Sequence, residues 1–106
     1  MFFTAGQFAK IHNINKRTLH YYDEIGLFSP SHRGDNGYRY YTYQQSPTLE
    51  MLLALRELGM SIEEIKNYIE SPSVPALKEL LAERQEEIRR AIARMKELKG
   101  ILAQKE

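Results

Sequence analysis

The 106-residue sequence contains no cysteine. That absence excludes disulfides, thiolate catalysis, iron–sulfur clusters and zinc fingers. Imidazole is scarce as well: His12, His20 and His32 lie in separate segments and show no metal-ligand spacing. There is no apolar run of about eighteen residues, so neither a transmembrane helix nor a membrane partner is expected. Met1-Phe2-Phe3-Thr4 lacks the basic and long apolar regions of a secretory signal, and a cytoplasmic location is the expectation. No phosphate-cradling glycine loop, nucleophile–base pair or metal cluster is visible. Neither catalysis nor a cofactor is therefore expected.

The remaining composition is that of an ordinary folded protein, 42% hydrophobic and 27% charged. The formal net charge is only +1. Residues 1–48 hold five Lys/Arg (Lys10, Lys16, Arg17, Arg33, Arg39) against three acids, giving +2. Residues 49–106 hold ten against eleven, giving −1. The asymmetry is weak, so the placement of the five cations carries more information than their number.

Thr4-Ala5-Gly6-Gln7 has the pattern of a capping box and predicts a helix with Phe8, Ala9 and Ile11 on one side. After a short turn at Asn13, Asn15 caps a second helix over about residues 16–24. Its Leu19 and Tyr22 lie three apart and face inward, while Arg17, His20, Tyr21 and Glu24 fall on another face. Two short helices joined by a tight turn form a helix-turn-helix pattern. Gly26 stops the second helix. Leu27–Pro30 and Tyr38–Tyr41 read as strands around a polar loop ending in Asn36-Gly37, which predicts a β-hairpin wing.

A third helix starts or kinks near Ser46-Pro47 and runs to Gly59. Ser61-Ile62-Glu63-Glu64 opens a fourth, with Ile62, Ile65 and Ile69 inward. From about Val74 the pattern changes. Leu77, Leu81, Arg84, Ile88, Ala91, Met95, Leu98 and Leu102 alternate spacings of four and three, which is a coiled-coil seam widened by Leu80, Ile92 and Ile101. Glu86–Arg90 and Glu87–Arg90 are expected pairs on the solvent side. A helix of that length spans about 45 Å, too long a stripe for a four-helix head to cover. A second copy of the helix is the economical partner. The expected organisation is therefore a mainly α chain: a winged helix-turn-helix head over residues 1–70 (four helices plus a β-hairpin wing), then a long dimerisation helix over residues 74–106.

Three segments carry a resemblance to a known family: Phe3–Lys10 with Arg17–Leu27, then Asn36-Gly37-Tyr38-Arg39-Tyr40-Tyr41, then Leu55–Ile65. In that order they resemble the start of the MerR family of bacterial transcription regulators. The resemblance implies a homodimer held by antiparallel coiled-coil packing of the last helix. It also implies binding to double-stranded promoter DNA at a palindromic site, where distortion of a long spacer lets RNA polymerase engage indirectly, through the DNA. Tyr-Arg-Tyr-Tyr in the wing looks like the drug-responsive branch, whose members carry a ligand-binding domain after the dimer helix. A small-molecule inducer is thus implied only through a C-terminal domain that this chain, ending at Glu106, does not carry. The lack of cysteine sets aside the metal- and redox-sensing branches. Two positions depart from the family pattern. His20 stands where an Arg is common, so a fixed cation is replaced by a pH-sensitive one. Gln45-Ser46-Pro47 replaces an acidic-Leu helix start.

The candidate DNA contacts are Asn15, Lys16, Arg17, Thr18, His20 and Tyr21 on the second helix, Tyr38 and Arg39 in the wing, and Lys66 on the outer face of the fourth helix. Arg17 can fork onto a guanine or a phosphate. Asn15, Lys16 and Thr18 sit where helix-terminal N–H groups favour a phosphate. Arg39 suits the minor groove or a phosphate clamp. Arg84 puts a charge into the seam, and is expected to pair with a Glu of the partner helix or to snorkel, acting as a register device. Two other readings stay open. The head can bind another protein, which would need no cations converging on one helix and one wing. Without an effector domain the chain can also act as a constitutive regulator or an architectural protein.

Overall fold

A computed structural model describes residues 1–104. The chain runs β1 (Phe2–Thr4), α1 (Ala5–Ile11), α2 (Lys16–Glu24), β2 (His32–Arg33), β3 (Arg39–Thr42), a 3-10 turn (Tyr43–Gln45), α3 (Ser46–Glu57), α4 (Ile62–Glu70) and α5 (Val74–Gln104). It divides into two compact units, Met1–Lys66 and Asn67–Glu106. Among the described residues no helix is long and apolar enough to cross a membrane.

In the first unit, local chemistry sets each helix start. Thr4 Oγ1 accepts from Gln7 N at 3.2 Å and Gln7 Oε1 accepts from Thr4 N at 2.9 Å, the reciprocal box expected at α1. Asn13 takes φ 56°, a left-handed conformation that Asn tolerates, and Ile14 N closes α1 onto Ala9 O at 2.9 Å. Asn15 Oδ1 then caps α2 by accepting from Arg17 N at 2.9 Å. A second reciprocal box joins Ser61 and Glu64 at the start of α4. The expected start of α3 near Ser46 holds, with Pro47 in its first turn and the 3-10 turn leading in.

Three rings form the centre of the head. Phe8, Phe28 and Tyr41 lie within 8° of parallel, with Phe8–Tyr41 centroids 5.1 Å apart and Phe28–Tyr41 centroids 5.8 Å apart. Leu19 and Tyr22 from α2, Leu49, Leu52 and Leu55 from α3, Met60 and Ile65 complete the core. Ile11, expected inward, is exposed. Ile65 is fully buried, whereas Ile62 and Ile69 are only partly so.

The sheet differs from the expected hairpin. Its order is β1-β3-β2, all antiparallel, with Phe3 opposite Tyr41 and Arg33 opposite Arg39. The strand expected at Leu27–Pro30 does not form. Leu27 and Phe28 are buried core residues, and their N–H groups both donate to Tyr22 O to finish the turn after α2. Strand pairing begins later, at His32, and Phe2–Thr4 supplies a third strand that sequence patterning did not reveal. The Asn36-Gly37 turn forms as expected. Gly37 takes φ 80° and donates to Gly34 O at 2.9 Å, and Asn36 Oδ1 accepts from Tyr38 N at 3.0 Å.

In the second unit, Ser73 Oγ accepts from Ala76 N at 3.1 Å, capping α5. The 31 residues of α5 include none that is buried. Leu81, Ile88, Ile92, Met95, Leu98, Ile101 and Leu102 are all exposed large hydrophobics. Among the described residues of this helix, Arg84 pairs with Glu87 and Arg89 with Glu86, both at i,i+3, a spacing shared with the expected Glu87–Arg90 pair. Arg84 therefore answers to its own helix, through Glu87, rather than only to a partner's Glu.

Candidate nucleic-acid interface

Helix α2 presents two adjacent stripes to two different grooves. Lys16 and His20, one turn apart, face a cleft of about 440 Å³ whose other walls are Thr4–Gly6 and the wing residues Gly37, Tyr38 and Arg39. Arg17, Thr18 and Tyr21 face a shallower groove of about 330 Å³, closed by Asn15, Tyr22, Arg56 and Ile62. Tyr22 is buried and Tyr21 is 47% exposed, the split that adjacency on a helix requires. Tyr38 at the wing is 63% exposed. The structure thus brings eight of the nine expected contacts to one side of α2 or the other. Arg56, which also lines the second groove, escaped sequence reading; its Nη1 donates to Met60 O at 2.6 Å and closes the α3–α4 turn.

Lys66 is the exception. It is half-buried, and its ammonium donates to Ile25 O at 2.8 Å. A cation at that carbonyl satisfies the C-terminal end of α2 and complements its dipole. That bond ties α4 to the end of α2 and uses one of the three donors of the ammonium.

Asp23 organises the wing. Arg33 from β2 donates to both its carboxylate oxygens at 2.8 Å, and Arg39 Nε from β3 donates to Oδ2 at 2.7 Å. Burial works to raise the Asp23 pKa, but the hydrogen bonds from Arg39 and Arg33 outweigh it and hold the carboxyl below its ordinary value. The same bond from Asp23 keeps Arg39 fixed as a cation. Arg39 commits only its Nε here, so its Nη groups remain available to a ligand in the cleft. His20 is pushed the opposite way: partial burial, then the charges of Arg39 and Lys16, lower its pKa against the weaker pull of Glu24 and Asp23. The lowered value favours the uncharged imidazole at neutral pH, in keeping with a pH-sensitive group at this position.

His12 also acquired a role that its sequence position did not announce. Its Nε2 lies 2.8 Å from Ser46 Oγ and its Nδ1 lies 3.3 Å from Glu50 Oε1, while the ring packs 4.7 Å from Phe8. The unusual Ser46-Pro47 start of α3 thus supplies the partner of a buried imidazole. No metal-binding group of three or more His, Asp or Glu occurs among the described residues.

A helix-turn-helix flanked by a wing, with cations on both grooves, is a nucleic-acid reader's geometry. The sequence model described as MerR HTH family regulatory protein matches residues 3–71. The chain belongs to the MerR family. A second model, MerR, DNA binding, matches residues 48–105. The multidrug-efflux transporter 2 regulator of Bacillus subtilis is 41% identical over 104 residues, which cover 98% of this chain and 38% of that protein. MtaN, the N-terminus of the Bacillus subtilis multidrug transporter activator, superposes with a TM-score of 0.84 at 31% identity, covering 96% of this chain and 95% of the other. EcmrR, solved by cryo-electron microscopy as the EcmrR–DNA complex in EcmrR-RPo, gives 0.72 at 36% identity, covering 88% of this chain and 34% of EcmrR. The likeness to multidrug regulators agrees with the drug-responsive branch that the wing resembled, and none of these relatives is an enzyme. This MerR chain thus spans well under half the length of the efflux regulator it matches.

Proposed function

We propose that the chain binds a palindromic promoter site as a homodimer and distorts the spacer DNA to control transcription. The observation that carries this reading is the pairing of two features. The head groups exposed cations and aromatics around α2 and the wing, and α5 leaves large apolar side chains exposed from Leu81 to Leu102. A stripe of that kind is stabilised by a second copy, and antiparallel packing of two α5 helices is the arrangement proposed. Leu77, Leu81, Arg84, Ile88, Ala91, Met95, Leu98 and Leu102 form the seam. Residues 1–70 act as the DNA-binding domain and residues 74–106 as the dimerisation helix.

In the head, Arg17, Thr18 and Tyr21 face bases or phosphates from one stripe of α2, with Asn15 at its start. Lys16, His20, Tyr38 and Arg39 grip the backbone from the other. RNA polymerase responds to the reshaped promoter rather than to this chain directly. A small-molecule inducer enters only through a C-terminal domain of the kind that longer relatives have room for. The protein acts in the cytoplasm.

Selection of binding sites from a random duplex pool at near-physiological salt tests the reading. Recovery of an inverted repeat supports a dimeric base-reading head. Failure to recover a motif, with no binding even at low salt, moves the weight to a protein-interaction module.

A further inference from the structure

We propose that the cleft between α2 and the wing seats a single DNA phosphodiester, and that His20 takes up a proton when that anion enters. The inference rests on the DNA-binding reading above. Three nitrogenous groups converge on the cleft: Lys16 and His20 from successive turns of α2, and Arg39 from β3. Its remaining walls, Thr4, Ala5, Gly6, Gly37 and Tyr38, bring no acid. Asp23 and Glu24, on α2 itself, are the acids that act on His20, and Asp23 is already matched by Arg33 and Arg39.

In such surroundings a neutral imidazole is the stable form, because a third positive charge would face two others in a partly dry site. A phosphodiester reverses the sign of the local field. It carries one negative charge, and it turns the second imidazole nitrogen from a wasted acceptor into a useful donor. Protonation of His20 then completes a three-cation grip that an unliganded head does not hold at neutral pH. An Arg at this position would bind a phosphate equally at any pH; His20 makes the grip depend on the proton supply. The other two histidines are differently placed. His12 is buried beside Ser46 and bonded to the exposed Glu50, and His32 lies on β2 against Phe2 and Tyr40.

The seat is sequence-independent, so the probe is a labelled random-sequence duplex of about 30 base pairs, three helical turns, at low ionic strength. The dissociation constant of the full chain should fall about fivefold to tenfold between about pH 8 and about pH 6, tenfold per pH unit being the limit for one proton. His20→Gln should bind with a nearly flat profile, His20→Arg should bind tightly and flat, and His32→Gln should keep the parent's slope. The His20 ring resonance should titrate at higher pH in the complex than in the free protein. A parent profile that is flat, or a slope that survives in His20→Gln, overturns the proton uptake while leaving DNA binding intact. Absence of binding at every pH overturns both.

Discussion

Replacing Asp23 by Asn keeps the shape of the side chain and removes its charge. The consequence can be worked from the cluster around it. The Asp23 side chain is only 5% exposed, and it receives three hydrogen bonds from two guanidinium groups. Removing one member of a fully buried charge cluster costs about 3–5 kcal/mol, most of it from the charge left behind. Here the charges left behind are partly wet: Arg33 is 53% exposed and Arg39 is 25% exposed. Rehydration of Arg33 offsets part of the loss, so the expected cost is nearer 2 kcal/mol, or about 8–16 °C in the melting temperature of a head this small. The pH dependence has a definite sign. Because the native carboxyl titrates below its unfolded value, its stabilisation is complete above about pH 4 and is lost as pH falls through the lowered native value. Thermal unfolding of parent and Asp23→Asn, followed by circular dichroism at neutral pH and in acid, reads both effects. The two proteins should differ at neutral pH and converge in acid. A difference below about 0.5 kcal/mol at neutral pH, the size of an ordinary surface substitution, would refute the role given to Asp23.

Other substitutions separate the remaining parts. His12→Ala should cost about 2–3 kcal/mol in urea unfolding, since it leaves a space beside Phe8 and strands the buried Ser46 hydroxyl, whereas Ser46→Ala should cost nearer 1 kcal/mol. Arg17→Ala should weaken binding to a selected site by about 1–3 kcal/mol and relax preference at one position, while Lys16→Ala should weaken all duplexes alike and reduce the salt slope by about one. Leu98→Asp should shift the chain to monomer in sedimentation. Arg84→Leu should leave the dimer at least as stable, and a clear loss of dimer there would overturn the register role of Arg84.

What was legible in the sequence was what lies within four residues along the chain. The boxes at Thr4–Gln7 and Ser61–Glu64, the Asn15 cap and the opposite fates of Tyr21 and Tyr22 are each settled by helical spacing. The grouping of Lys16 and His20 against the wing is half legible: helical spacing marks the residues as outward-facing, but not their division between two grooves. What stayed hidden is non-local. β1 and β2 have three and two residues, too few for any period to appear, and β1 finds its partner strand 38 residues on, Phe3 opposite Tyr41. Leu27–Pro30 reads as a strand in the sequence because a short apolar run looks the same whether it pairs or plugs a core. The Asp23 cluster and the His12–Ser46 bond join residues up to 34 positions apart, and no pattern along the chain marks such partners. Lys66 reads as a surface cation until the Ile25 carbonyl is seen beside it.

Thr4 ends β1 opposite Tyr40 and, by the same few atoms, starts α1. The wing is therefore welded to the first helix of the reader instead of hanging from it on a loop, and Asp23 welds it a second time to α2. A protein that bends a duplex works against an elastic cost on the order of 1–6 kcal/mol. That load falls on whichever body is softer, and a hinged wing would simply fold back while the DNA stayed straight. Two anchor points, one at each end of the helix-turn-helix, tie the wing to the head, so that under the proposed distortion the strain would be left in the DNA.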